Sequence, residues 1–379
     1  MKYLMMIIII KKKELDVINK ESEFKENEFI KLRCVYSNNT SLFFLVFHIQ
    51  SLHIFLLKKF DYGELTKYQN REIEFCKKYS HRCLVPFYGF VKENKYITGL
   101  LYEFMTNGTL HSFYNNKKND PSELLSMLTI RRILEGLKYL HSNILICRDL
   151  KPHNILLNND NIPFIADFET IGELMNKNED SKEVICMTND IGNKLYMSPE
   201  QYIGENVSYE TDVYSFGLII YFLYERKDQQ NVLINEIVNK IPEITNCPNF
   251  IKFIYHSAVK YNQEERIKFI ELEKIIMNNI KSNEGIQLIV NSIKTFNDIN
   301  LFSQYLFENI NLLKIKQVTD DDVIEKYFYK NYFNLLKHLL EIDNKNSDIL
   351  NNLGNLYFNG FGVKQDFYEA KNITINLQI

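Results

Sequence analysis

The chain has 379 residues, 45% of them hydrophobic and 25% charged, with a formal net charge of −3. That charge leaves no large basic field to draw nucleic acid, and 24 Tyr with 27 Phe supply a core that a disordered chain lacks. Collagen-like, mucin-like, disulfide-scaffold and histone-like compositions are excluded, and the length suits two domains or one large domain with an appendage.

The first apolar run, Tyr3 to Ile10, is followed by Lys11, Lys12 and Lys13. It is too short to span a bilayer and carries no small-residue cleavage site, so residues 1–24 read as an N-terminal extension. Leu42 to Leu57 is longer but broken by His48, Gln50, Ser51 and His53. This predicts two buried strands joined at the polar centre rather than a membrane span. Helical spacing follows from Leu65 to Tyr79 and again after Pro121, whose ring suits a helix start. Short β-like pieces at Ile155–Leu157 and Pro163–Ala166 lie among Asn-rich turns, and residues 212–278 return to helical periodicity. A small β-rich part thus precedes a larger helical part, an α+β class. The six cysteines, Cys34, Cys76, Cys83, Cys147, Cys186 and Cys247, are dispersed without a C-x-x-C pair or zinc spacing. They read as reduced thiols of a cytoplasmic protein.

The chemistry-bearing text begins at Arg148-Asp149-Leu150-Lys151-Pro152-His153-Asn154. A carboxylate and an amide five residues apart, with an ammonium between them, suit phosphoryl transfer. The carboxylate accepts a hydroxyl proton, the ammonium steadies a phosphate, and the amide oxygen holds a divalent cation. Asp167, thirteen residues beyond Asn154 and preceded by Ile162-Pro163-Phe164-Ile165-Ala166, is a second candidate metal contact at a strand end. Either piece alone equally describes a polar loop between strands.

Taken together, this stretch resembles the protein kinase family. Cys147 to Asn154 is similar to the catalytic-loop motif with Cys in place of His, and Asp167-Phe168-Glu169 to D-F-G with its Gly lost. Ser198-Pro199-Glu200 resembles A-P-E, Asp212 to Gly217 resembles the start of the central helix of the large lobe, and Arg266 sits where the partner of Glu200 is expected. The resemblance covers residues 25–278 and implies a bilobal protein kinase fold, with a small β-rich lobe and a large helical one. The text around Tyr214-Ser215-Phe216-Gly217 is most similar to the tyrosine-kinase-like group, and Lys151 is the serine/threonine-type signature. The implied cofactors are ATP and Mg²⁺, and the implied partners are protein substrates. Asp149, Lys151 and Asn154 would be catalytic, and Asn154 and Asp167 would hold the metal. Lys58 would orient phosphates, fixed by Glu72, with Lys59 as the adjacent competitor. Tyr102-Glu103-Phe104-Met105 resembles the hinge, so Glu103, Met105 and Leu156 join Lys58 and Glu72 as nucleotide-binding residues.

Several positions depart from that pattern. The phosphate-covering loop is expected at residues 36–41, which read Tyr36-Ser37-Asn38-Asn39-Thr40-Ser41 without glycine. Glycines there let backbone amides approach phosphates closely. Leu56 and Phe43 stand where smaller residues are usual, and Glu169 adds a charge beside Asp167. Two functions therefore remain open: an active serine/threonine kinase in signalling, and a catalytically impaired pseudokinase acting as a scaffold. Thr188, ahead of Ser181 and Thr170, is the expected phosphate acceptor of the segment between Asp167 and Glu200, pairing with Arg148; the other reading is a solvated hydroxyl in an Asn- and Lys-rich loop. Beyond residue 278 a helical connector is expected over 279–345. Over 346–379, Leu353, Gly354, Tyr357, Gly360, Gly362, Asp366 and Ala370 resemble a Sel-one-like helical repeat able to take a protein partner. One copy is short of the three that a self-supporting array needs, so it docks on the connector, belongs to a longer array, or is an ordinary helical hairpin.

Overall fold

The computed structural model describes residues 22–37, 40–60, 64–116, 118–119, 121–173, 193–227, 242–245 and 247–281, together with scattered positions from 301 to 376. Two compact units divide the chain, Met1–Asp120 with Thr129–Glu273, and Pro121–Leu128 with Lys274–Ile379.

The first unit opens with a six-stranded sheet. Its strands are β1 (Glu23–Lys25), β2 (Phe29–Ser37), β3 (Ser41–His48), β4 (His53–Phe60), β5 (Phe87–Glu93) and β6 (Tyr96–Glu103), in the spatial order β1-β5-β6-β4-β3-β2. The expected strand pair within Leu42–Leu57 is present as β3 and β4, which turn at residues 49–52 and pair from Ser41↔Phe60 to His48↔His53. Period-two alternation divides β4 between two faces. Phe55 and Leu57 enter a core with Phe24, Phe29, Val46, Val91 and Leu101, while Leu56 and Lys58 lie on the opposite face. Between β4 and β5 runs α1 (Lys67–Lys78), started by a capping box in which Thr66 Oγ1 accepts from Gln69 N (3.1 Å) and Gln69 Oε1 accepts from Thr66 N (2.8 Å).

The segment expected to cover phosphates, 36–41, straddles the end of β2 and the start of β3. Tyr36 and Ser37 are the last residues of β2, paired with Phe43 and Leu42, and Ser41 already belongs to β3. The backbone at 36, 37 and 41 thus lies in the sheet; Asn38 and Asn39 lie outside the described residues.

The helical part comprises α2 (Leu110–Asn115), α3 (Glu123–Ser142), the short strands β7 (Leu145–Ile146), β8 (Ile155–Leu157), β9 (Pro163–Ile165) and β10 (Gly172–Glu173), then α4 (Pro199–Ile203), α5 (Tyr209–Glu225), α6 (Asn249–Ala258) and α7 (Phe269–Lys281). Strands β8 and β9 pair as a hairpin, and β7 pairs antiparallel with β10 across the intervening segment. Helix α5 is buried along most of its length and crosses α6 at Gly217, where a Cβ would stand 2.6 Å from Val259 Cγ2 and 2.9 Å from Ala258 Cβ. Only glycine permits that approach. Among the described residues no helix is long and apolar enough to cross a membrane, and Cys34, Cys76, Cys83, Cys147 and Cys247 are free thiols.

In the second unit α8 (Phe367–Asn376) is started by Asp366, whose Oδ1 accepts from Tyr368 N and Glu369 N at 3.0 Å. Leu353, Leu356 and Ala370 are buried there. Gly360 and Gly362 of the expected repeat, and Thr188, lie outside the described residues.

One buried ion pair clamps the large lobe. Arg266 donates from Nη1 to Glu200 Oε1 (2.7 Å) and from Nη2 to Oε2 (2.6 Å), joining α4 to the turn before α7 as the motif order implied. Burial works against the Glu200 carboxylate, but the guanidinium holds it below its ordinary range. Removing one partner of such a pair strands a buried charge, so Arg266→Ala is expected to cost about 3–5 kcal/mol in chemical unfolding. Arg266→Lys, which keeps the charge but loses the fork, is expected to fall between the two. A stability equal to the parent's for Arg266→Ala would show that the clamp is dispensable.

Candidate functional site

Lys58 is the centre of the small-lobe half of the site. Its face of β4 turns it toward α1, and its Nζ lies 2.7 Å from Glu72 Oε2. Lys59, on the opposite face, pairs with Glu26 Oε1 at 2.6 Å. Lys58 has a second carboxylate: Glu169 Oε1 lies 2.5 Å from the same Nζ. The ring of Phe43, directly opposite on β3, has its centroid 5.5 Å from that nitrogen. Enclosed in this way, Lys58 is 4% exposed.

Glu72 is itself held from behind. Tyr102, the penultimate residue of β6, donates its hydroxyl to Glu72 Oε1 (2.8 Å), and Cys76 Sγ lies 3.2 Å from the same hydroxyl. The Tyr102 ring faces Phe168 at 6.2 Å, and Phe168 packs on Phe75 of α1 at 4.7 Å. A tyrosine read from the sequence as hinge backbone thus reaches the ion pair through its side chain. Nothing in its spacing marked it; only the fold brings β6 behind α1.

The large-lobe half rests on the segment 147–154. Asp149 Oδ2 accepts from Lys151 Nζ (2.7 Å) and from Asn154 Nδ2 (3.0 Å), and Asn154 Nδ2 also reaches the Asp149 carbonyl (2.9 Å). Asn154 gives its own carbonyl to Ala166 N (2.8 Å), which ties this loop to the residue before Asp167. Arg148 and Asp167 both have positive φ, 68° and 64°. A non-glycine residue in that region costs on the order of 1 kcal/mol and persists where surrounding bonds fix it. Here the buried Asp212 of α5 accepts from Cys147 N (2.9 Å) and Arg148 N (3.0 Å), and Gln201 Nε2 donates to the Arg148 carbonyl (2.8 Å). His141 Nε2 lies 2.9 Å from Asp212 Oδ2 and orients it.

Three carboxylates around one ammonium set the electrostatics. Burial opposes the charge on Lys58, yet Glu72, Glu169 and Asp167 more than offset it and hold the amine protonated beyond its ordinary range. Glu72 is pushed up, first by burial and then by Glu169, with Lys58 opposing. The surplus of negative charge raises both groups, and burial adds to it at Glu72 while opposing it at Lys58. Burial likewise raises Asp149, with Asp167 adding to it and Lys151 opposing. Burial first, then the nearby carboxylates of Asp212, Asp149 and Asp167, keep the Cys147 thiol far from ionising.

Other expected nucleotide contacts are placed as follows. Leu56 and Phe43 lie half-buried on the Lys58 face of the sheet, Leu56 opposite Leu45 and Phe43 against Tyr36 with ring centroids 5.6 Å apart. Glu103 closes β6, its carboxylate accepting from the Tyr88 hydroxyl and its backbone N donating to Pro86 O at 2.9 Å. Met105 is buried, with its carbonyl accepting from Gly108 N, and Leu156 lies half-buried on β8. Among the described residues no group of three or more His, Cys, Asp or Glu is arranged to hold a metal. The oxygens of Asn154 and Asp167 nevertheless fit Mg²⁺, which binds through one or two protein oxygens together with phosphates and water. The basic and oxygen donors fit a metal–nucleotide, with Glu169 as the exception.

Tyr102→Phe keeps the ring but removes the donor to Glu72. The expected result is a folded protein destabilised by about 1–3 kcal/mol in chemical unfolding, because a buried carboxylate oxygen loses its bond. Unchanged stability would show that Lys58 alone positions Glu72.

Comparison with known proteins agrees with this geometry. The protein kinase domain family matches residues 38–345. A probable serine/threonine-protein kinase of Dictyostelium discoideum is 33% identical over 192 residues, 48% of this chain and 20% of that protein. Mitogen-activated protein kinase kinase 3 of Arabidopsis thaliana is 34% identical over 179 residues, 46% of this chain and 33% of its own length. A second probable serine/threonine-protein kinase of Dictyostelium is 30% identical over 200 residues, 51% of this chain and 46% of that protein. The chain therefore spans less than half the length of each. With a family match over most of its length, a β-sheet lobe followed by a helical lobe, and a lysine–glutamate pair above an Asp–Lys–Asn loop, the chain belongs to the protein kinase family.

Proposed function

We propose that this chain is a serine/threonine protein kinase that acts in signalling in the cytoplasm, of the tyrosine-kinase-like group. ATP, bound with Mg²⁺, supplies the phosphoryl group that passes to a Ser or Thr hydroxyl of a protein substrate. The reading is carried by one observation: Asp149 Oδ2 is fixed by both Lys151 and Asn154. That leaves Oδ1 to accept the hydroxyl proton, and the raised proton affinity of this half-buried carboxylate suits a general base. Lys151 stabilises negative charge beside the acceptor, and Asn154 and Asp167 hold the cation. Lys58, positioned by Glu72, binds phosphate oxygens, while Glu103 and Met105 offer backbone groups to the base and Leu156 an apolar surface. Positioning of this kind accounts for most of the catalysis of phosphoryl transfer. Residues 25–278 are the proposed catalytic domain, preceded by the extension 1–24. The connector 279–345 and a Sel-one-like repeat at 346–379 form a tail for a protein partner.

The second reading, a catalytically impaired scaffold, is favoured by a specific contact: Glu169 occupies Lys58. Mg-ATP discriminates between them. Binding stabilises a folded protein by RT ln(1 + [L]/Kd), so a rise in melting temperature with Mg-ATP supports the enzyme, and its absence at millimolar nucleotide supports the scaffold. Asp149→Asn is expected to abolish phosphate transfer while leaving nucleotide affinity within about twofold, because a general base acts in the transition state. Retained transfer would remove Asp149 from the mechanism. Leu56→Ala opens the face of the sheet beside Lys58 and is expected to strengthen ATP binding despite poorer packing. Equal or weaker affinity in a folded variant would show that Leu56 does not obstruct the base.

A further inference from the structure

We infer that Glu169 is an internal competitor for the phosphate-binding lysine, an acidic side chain standing where the anion of the incoming polyphosphate would pair. The inference rests on the proposed nucleotide site and adds what sets its affinity. Lys58 Nζ has Glu72 Oε2 at 2.7 Å on the α1 side and Glu169 Oε1 at 2.5 Å on the side of the Asp167 segment. The Phe43 ring lies 5.5 Å from the same nitrogen. An ammonium has three donors, and two are committed to carboxylates.

The two carboxylates differ in how firmly they are held. Glu72 is buried in a helix, and its second oxygen is fixed by the Tyr102 hydroxyl. Glu169 has a side chain 19% exposed and sits just past the positive-φ Asp167. When a phosphate oxygen arrives, Glu169 is the partner that can yield, since water is available to it and it lies in the connection between β9 and β10 rather than within a helix or strand. Charge points the same way. Lys58 against Glu72, Asp167 and Glu169 leaves a formal charge of −2 around the lysine, by one positive group minus three negative ones. A bare polyphosphate meets that field as a repulsion, whereas a divalent cation relieves it. The lysine is therefore released to phosphate only when a cation has drawn the acidic side chains toward itself.

The test is calorimetric titration of the full chain with ATP and with inorganic tripolyphosphate, each at low and high Mg²⁺. Tripolyphosphate has no base, so it reports on Lys58 separately from the apolar face near Leu56 and Phe43. Glu169→Gln removes the charge with little change of shape and is expected to tighten tripolyphosphate by about tenfold or more, since a close charge pair in a partly buried site is worth at least that factor. The dependence on Mg²⁺ is expected to flatten. Glu169→Asp, which keeps the charge but withdraws it by one methylene, is expected to tighten binding less and serves where the Gln variant fails to fold. Tightening of tripolyphosphate without measurable ATP binding in any variant would sustain the competitor and overturn the nucleotide reading. Affinity for both anions no greater in Glu169→Gln and Glu169→Asp than in the parent overturns the competitor itself.

Discussion

A lysine ammonium buried in a sheet cannot stand alone, and this requirement organises the small lobe. Lys58 is placed by the pleat of β4 on the face opposite the Phe55 and Leu57 core, so its partner must come from outside the sheet. Helix α1 supplies Glu72, and the segment after β9 supplies Glu169, 111 residues away in sequence. The pair is not in itself a large source of stability, because desolvating two ions offsets much of their attraction. Its effect is geometric: α1, β4 and the Asp167 segment have to meet at one nitrogen. Tyr102 adds β6 to that junction through Glu72 Oε1.

The large lobe solves a comparable problem with a buried acid. Asp212, at the start of α5, accepts two backbone N–H groups from Cys147 and Arg148, which would otherwise point into a closed interior unsatisfied. In doing so it stabilises the left-handed Arg148 that swings the chain toward Asp149. The neighbouring Gln201 takes the carbonyl side of the same residue and belongs to α4, whose Glu200 is clamped by Arg266. The segment 147–154, catalytic on the proposed reading, thus inherits its rigidity from α4 and α5. A Cys in place of the usual His at 147 leaves this arrangement intact, because the contact to Asp212 runs through the backbone.

Local and ordered features of this fold were legible in the sequence. The polar break at His48–His53 gave the β3–β4 turn, the three- and four-residue spacing gave α1, and motif order placed Glu200 with Arg266. These depend on periodicity or on fixed order along the chain. What was not legible depends on where distant elements meet. Glu169 was visible as an added charge but not as a partner of Lys58, since the distance from β9 to β4 is a property of the packed lobes. The Tyr102 hydroxyl was hidden for the same reason. That Tyr36 and Ser37 close β2 and Ser41 opens β3, within the segment expected at 36–41, is set by register rather than by residue type.

The departures from the kinase pattern share a physical direction. A glycine-rich hairpin binds phosphate through backbone amides, which carry no net charge and resist screening by salt. Here residues 38–40 contain no glycine, and the carbonyl of Thr40 accepts from Gln69 Nε2 at 2.9 Å, which fastens the residue before β3 to the first turn of α1. On the proposed reading, what the hairpin does not offer falls to side chains and the cation: Lys58, Lys151, Asn154 and Asp167. Binding carried by charges in a site already rich in carboxylates depends on ionic strength and on the divalent cation far more than binding carried by amides. On that reading, the absence of glycine at 38–40 and the presence of Glu169 act together, moving control of the nucleotide from the shape of a loop to the balance of charge around one lysine.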